Sequence, residues 1–152
     1  TNWRAGNGGP FAAIVVETAT GRLVSAGVNV VLSSGISSTH AEVVALSLAQ
    51  TELATWDLSA EHALELVVNW RPCAMCYGAI PWSGIRSVLC GARASDAEAI
   101  GFDEGAKPKN WVAEFKNRRI TVVRDLCRKE AVAVLQEYKN GGGAIYGARK
   151  RS

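Results

Sequence analysis

The sequence predicts an α/β layered sheet, and three observations predict it. Short apolar runs rich in β-branched residues recur at 11–17, 23–31, 63–69, 86–92 and 120–124. Longer stretches of helical character separate the later ones, at about 39–51, 72–82 and 125–139. Strands that alternate with helices bury both faces of one sheet. The length of 152 residues, 48% of them hydrophobic, suits one such domain rather than two.

The elements follow in order. Gly6-Asn7-Gly8-Gly9-Pro10 is a loop ahead of the first strand, whose Ile14-Val15-Val16 run marks it as buried. Thr18-Ala19-Thr20-Gly21-Arg22 turns the chain back, so the second strand should pair antiparallel with the first. Thr39, with Glu42 three residues on, forms a capping-box pattern and predicts the first helix. Val43, Leu46 and Leu48 cover more than one of its faces, which predicts a sandwiched helix. The third strand ends just before Pro72, whose missing N–H suits the start of the next helix. Ser83-Gly84-Ile85 stops that helix, and the strand at 120–124 with the helix after it closes a domain predicted to span 1–140. Gly141-Gly142-Gly143 then makes a flexible hinge, so that 141–152 reads as a hinge and a basic arm ending in Arg149-Lys150-Arg151.

The chemistry lies in two segments, His40-Ala41-Glu42 and Pro72-Cys73-Ala74-Met75-Cys76. Cysteines three apart share one face of a helix, and at a helix N-terminus the backbone dipole favours the thiolate that zinc requires. His40 supplies a third ligand. Three protein ligands leave one tetrahedral position for water, the arrangement of catalytic rather than structural zinc. Glu42 then stands ready to handle that water's protons. A CxxC alone also fits redox dithiols, closed zinc sites and buried thiols. The added His-x-Glu and Pro point instead to Zn2+ held by His40, Cys73 and Cys76.

H-x-E…P-C-x-x-C is the signature of zinc deaminases, and through it the sequence resembles the cytidine deaminase-like superfamily. The resemblance implies a three-layer α/β/α fold on a five-stranded mixed sheet, with the two metal-bearing helices side by side on one face. Further segments resemble the guanine deaminase branch: Gly8-Gly9-Pro10-Phe11-Ala12-Ala13, Asn29, Trp82 six residues after Cys76, and Gly101-Phe102-Asp103-Glu104-Gly105. The implied reaction is hydrolysis of guanine to xanthine and ammonia. Zinc lowers the pKa of its water, Glu42 takes the proton and passes it to a ring nitrogen, and Glu104 helps protonate the departing amine. Phe11 and Trp82 are expected to stack on or wall in the flat ring, and Asn29 to offer a donor and an acceptor to its edge. Ala41 and Tyr146 complete the expected substrate contacts. Family members commonly carry an acidic residue just before Pro-Cys, whereas this chain has Asn69-Trp70-Arg71. Trp70 and Arg71 are therefore expected to influence substrate preference, with ammeline-type triazines and cytosine-like rings as alternatives to guanine. Members also usually carry a helix ahead of the Gly-Gly-Pro-Phe segment, and here seven residues precede Gly8.

The net charge of +3 is mild. Its basic excess gathers in the C-terminal third, at Lys107, Lys109, Lys116, Arg118, Arg119 and Arg124, but Glu114, Asp125, Glu130 and Glu137 interleave with it. That pattern reads as a solvated face rather than a nucleic-acid footprint. A tRNA adenosine deaminase, which shares the zinc motif, is the alternative this region would serve. A zinc-stabilised interaction domain is a third reading; it needs a fourth ligand, and His62 is the only other histidine. No stretch approaches the roughly eighteen apolar residues of a membrane span, and Thr1-Asn2-Trp3-Arg4 is not a signal peptide. Cys90 and Cys127 lie in apolar patterns and are expected as buried free thiols, cysteine usage that suits the cytoplasm. Resemblance to dimeric bacterial guanine deaminases implies a homodimer that exchanges the arm carrying Ile145 and Tyr146.

Overall fold

A computed structural model of the chain describes residues 2–59 and 63–147. His62 and Arg149 to Arg151, invoked above, lie outside the described residues. Five strands form one mixed sheet in the order β2-β1-β3-β4-β5. β1 (Ala12–Glu17) pairs antiparallel with β2 (Leu23–Val28), Ile14 opposite Ala26, and antiparallel with β3 (Leu64–Trp70), Ile14 opposite Val67. β4 (Ser87–Ala92) runs parallel to β3, and β5 (Thr121–Val123) parallel to β4. The tight turn after β1 permits only the antiparallel pair, whereas the parallel half needs crossovers, which helices supply.

The helices are α1 (Val31–Ser34), α2 (Ala41–Glu52), α3 (Ala74–Ser83), α4 (Ala94–Glu98), α5 (Trp111–Asn117) and α6 (Arg128–Asn140). Two cores result. The larger joins Val15, Leu66, Val68 and Val88 of the sheet to Ala45 and Leu46 of α2, Ile80 of α3 and Phe115 of α5. The smaller sets Ala131, Leu135 and Tyr138 of α6 with Trp70, Ala92 and Phe102. Layers on both sides of a five-stranded mixed sheet match the expected architecture, and α2 and α3 pack against each other as expected.

Local differences have local causes. β2 ends at Val28 rather than near residue 31, because the Asn29 side chain accepts from Val31 N–H and starts the single turn of α1. Thr39 does not cap α2: its hydroxyl donates back to the Ile36 carbonyl, and His40 is the N-cap residue. Pro72 is not the helix start either; it is extended chain before Cys73, the N-cap of α3, and its carbonyl accepts from the Lys107 ammonium. α2 is buried through Ala41, Ala45, Leu46 and Ala49, but Leu48 is exposed, so the helix is not enclosed within one chain. Cys127, expected to be buried, is exposed at the N-cap of α6, which begins three residues later than predicted; Cys90 is buried as expected.

Candidate active site

The site stands where α2 and α3 begin. His40 and Cys73 are both N-cap residues with extended backbone, and neither uses its side chain to cap its helix. Both side chains are therefore free to converge. The His40 Nδ1 atom lies 3.5 Å from Cys73 Sγ and 3.7 Å from Cys76 Sγ, and all three donor atoms fall within 4.8 Å of one another. Tetrahedral zinc bonds of about 2.0–2.3 Å require donor separations of roughly 3.3–3.8 Å. The cluster fits that ion.

Its electrostatics fit as well. A hydrogen bond from Cys76, and then one with His40, hold the Cys73 thiol down at about 4, although burial opposes them. The Cys76 thiol is pushed up, because its proton is shared toward Cys73 and it is buried. Burial works to lower His40, but the hydrogen bond and charge of Cys73 outweigh it and raise it. A divalent cation would take the place of the protons that the two thiols and the imidazole share. Among the described residues this is the one group of three that could hold a metal.

Glu42 follows in the first turn of α2 and is only 6% exposed. Burial first, and then the negative charge of Cys73, raise its carboxyl. Glu104 arrives from the loop after α4. Its carbonyl accepts from Ala74 N–H at 2.9 Å, which fastens that loop to the first turn of the cysteine helix. Its Oε1 accepts from the Trp70 indole at 3.1 Å, and its Oε2 lies 3.7 Å from Arg71 Nε. A surface position would be ordinary for a Glu between glycines, yet this one is 8% exposed. Burial, then the Cys73 charge, push its carboxyl up to about 7 against the pull of Lys107, Arg71 and the Trp70 bond.

A raised carboxyl binds its proton more tightly in the folded chain than in the unfolded one. Its contribution to stability is full below about 4.5 and is lost as pH rises through about 7. Glu104→Gln, which has no charge to bury, is therefore expected to melt higher than the parent by a margin that widens between about pH 5 and pH 8. Melting curves that stay parallel across that window would contradict it.

An aromatic group adjoins Glu104 through Trp70. Phe11 meets Phe102 edge-on at 5.0 Å and Trp70 at 5.8 Å, and Tyr146 meets Phe102 edge-on at 5.7 Å. The Tyr146 hydroxyl donates to Asn29 Oδ1 at 2.7 Å and accepts from Gly9 N–H at 2.7 Å. A side chain at Gly8 would collide with Asn29, and one at Gly9 with Phe11 and Tyr146, so the double glycine is what lets these residues close up. The arm around Tyr146 thus packs on its own chain. Ala41 is buried at the start of α2, beside His40.

Trp82 is not brought here. It lies in the last turn of α3, 86% exposed, two turns beyond Cys76. Lys107, read from the sequence as surface charge, is instead half-buried: it donates to the Pro72 carbonyl and sits over the Trp111 ring at 4.8 Å. Burial, and then the Arg71 charge, depress it to about 8. No motif marked Lys107, and Phe102 stood inside the Gly-Phe-Asp-Glu match without a role.

The model of the cytidine and deoxycytidylate deaminase zinc-binding region matches residues 2–92. The chain belongs to that deaminase family. The guanine deaminase of Bacillus subtilis is 37% identical over 100 residues, 66% of this chain and 61% of that protein, so the match spans about three fifths of the relative. The structure of guanine deaminase from Nitrosomonas europaea is 51% identical with a TM-score of 0.87, covering 90% of this chain and 76% of that one. A structure solved in complex with 2,6-diaminopurine is 52% identical with a TM-score of 0.89, covering 96% of this chain and 78% of that one. His40, Cys73 and Cys76 all lie within the matched zinc-binding region and could hold its ion, and the five-stranded mixed sheet is that of the family's α/β fold.

Proposed function

We propose that this deaminase hydrolyses guanine to xanthine and ammonia. One observation carries the reading. Among the described residues, the buried side-chain polar atoms left without a hydrogen bond are Asn29 Nδ2, Glu104 Oε2 and Arg71 Nε. Buried polar atoms cost roughly 1–3 kcal/mol each when unpaired. Arg71 Nε and Glu104 Oε2 face each other at 3.7 Å as a loose ion pair that a ligand can part, and Asn29 Nδ2 has no partner among the described residues. An orphan donor on Asn29 and an orphan acceptor on Glu104, beside the Phe11–Phe102–Trp70 aromatic group, suit a flat ring that carries both acceptors and N–H groups. Guanine is such a ring, and the similarity to two guanine deaminases favours it.

The residues divide the work. Zinc bound by His40, Cys73 and Cys76 supplies Lewis-acid activation of a water. Glu42, buried and with a raised carboxyl, takes a proton at its carboxylate oxygen and returns it to a ring nitrogen of the base. Glu104, oriented by the Trp70 indole, gives a proton to the amine nitrogen as the C–N bond breaks, and the proton that the added hydroxyl loses as the carbonyl forms restores the carboxyl. Asn29 fixes the ring edge, while Phe11 and Tyr146 exclude bulk solvent. Ammonia release from zinc-loaded protein is the test, with guanine, ammeline, cytosine, adenine, guanosine and a tRNA anticodon stem as the panel. Guanine is expected to give xanthine and ammonia. Release from ammeline but not from guanine would overturn the substrate and hand specificity to Trp70 and Arg71.

The working unit we propose is a homodimer in the cytoplasm. Leu48 on α2, with Met75 and Trp82 on α3, exposes apolar surface on adjacent helices, and a second copy would cover it. All four cysteines are unpaired, as a reducing compartment requires, and no described helix is long and apolar enough to cross a membrane. Trp82→Arg is expected to shift the sedimenting species from dimer to monomer; an unchanged dimer would place the interface elsewhere.

A further inference from the structure

A cavity of about 260 Å³ opens at the carboxyl end of β4, between the start of α4, Trp111 of α5 and the chain leaving β5. Its charged lining is Arg71, Arg93, Arg124 and Asp125, three guanidiniums to one carboxylate, with the Ser95 hydroxyl beside them. The carboxylate is already taken: Arg93 Nε and Nη2 grip both oxygens of Asp125, at 2.7 and 2.8 Å. The neighbouring Asp96 is held in turn by Arg128, at 2.8 and 3.1 Å. Arg124 lines the cavity beside Asp125, which feels its charge, but forms no hydrogen bond or ion pair among the described residues; Arg71 Nε is buried without a hydrogen bond and faces Glu104 Oε2 at 3.7 Å. With Arg93 on Asp125 and Arg71 facing Glu104, Arg124 is the cation of the lining that no carboxylate among the described residues pairs with.

We propose that this cavity binds a small oxyanion of the phosphate class. Ligand pockets for drug-sized molecules run from about 300 to 1,000 Å³, so the space suits a small ion or the terminal group of a larger one. Planar guanidinium forks match phosphate oxygens two at a time. A tetrahedral oxyanion offers four oxygens to Arg124, the free edge of Arg93 and the Ser95 side of the cavity, against the two of a carboxylate. Arg71 is the wall shared with the deamination site, since its Nε also faces Glu104 at 3.7 Å.

Titration calorimetry of the zinc-loaded protein with inorganic phosphate, at constant ionic strength and with acetate as the comparison, tests this. Saturable phosphate binding that acetate does not reproduce is expected. Arg124→Ala is expected to weaken it about tenfold, equivalent to roughly 1.4 kcal/mol, and Arg124→Glu to abolish it, while Lys109→Ala on the exposed loop leaves it unchanged. Ribose 5-phosphate separates the sources: binding as tight as phosphate assigns phosphate esters to the cavity, and its exclusion assigns the free ion. Absence of saturable heat, equal binding of acetate, or full affinity in Arg124→Glu, as phosphate on the metal would give, overturns the inference. The readout is binding alone, so failure to deaminate guanine would leave it untouched.

Discussion

Glu42→Gln is expected to lower turnover by about two to four orders of magnitude while zinc uptake stays intact, the range a positioned general acid–base group supplies. The expectation rests on where Glu42 sits. It is 6% exposed, two residues after His40 in the first turn of α2, and does not belong to the donor cluster of His40, Cys73 and Cys76. Glutamine keeps the shape and loses the proton carrier. Metal analysis and single-turnover kinetics on the same preparation read the two effects apart. A fully loaded Glu42→Gln enzyme that still turns over at near the parent rate would falsify the assignment.

Removal of the metal is expected to have the next largest effect, on activity and stability together. Cys73→Ser replaces the thiol held at about 4 with a hydroxyl that does not ionise near neutrality, so zinc content and turnover should fall together below about a hundredth of the parent's. Free zinc at a hundred times its dissociation constant stabilises a fold by about 2.7 kcal/mol. For a chain of this size each kcal/mol moves the melting point by about 2–4 °C. Chelation should then lower the melting temperature by about 5–11 °C without abolishing the cooperative transition. The two cores explain why the fold survives: Val15, Leu66, Ile80, Phe115 and their neighbours close without reference to the metal. A zinc finger, which has no such core, unfolds instead. Loss of all cooperative melting on chelation would show that the ion is structural.

Most of the frame was legible because its signals are local and repeated. The β-branched runs located all five strands, and the turn at 18–22 set the antiparallel pair. The short helices were not legible. α4 is five residues long and α5 seven, too few turns for a period to declare itself, although Trp111 and Phe115 stand four apart as one buried face requires. The metal ligands were legible because three residue types at fixed spacing carry their own chemistry. The walls of the pocket were not, since an aromatic residue reads the same in a core, a pocket or an interface. Phe11 and Trp82 illustrate it: the first is packed among Trp70 and Phe102, the second is open to solvent. Thr39 and His40 mark a finer limit. Either could end the loop before α2, and the choice turned on whether the threonine hydroxyl found the Ile36 carbonyl first.

Distance along the chain divides the site in time. His40 meets Cys73 across 33 residues and Trp70 meets Glu104 across 34, whereas Tyr146 reaches Asn29 across 117 and Gly9 across 137. Closing the longer loops costs only about 1 kcal/mol more, so the difference is one of order rather than of energy. A ribosome delivers the N-terminal segments first. His40, Cys73 and Cys76 are therefore all delivered before α6 is made, and the donor cluster is complete along the chain before the contacts of Tyr146 with Asn29 and Gly9 can form.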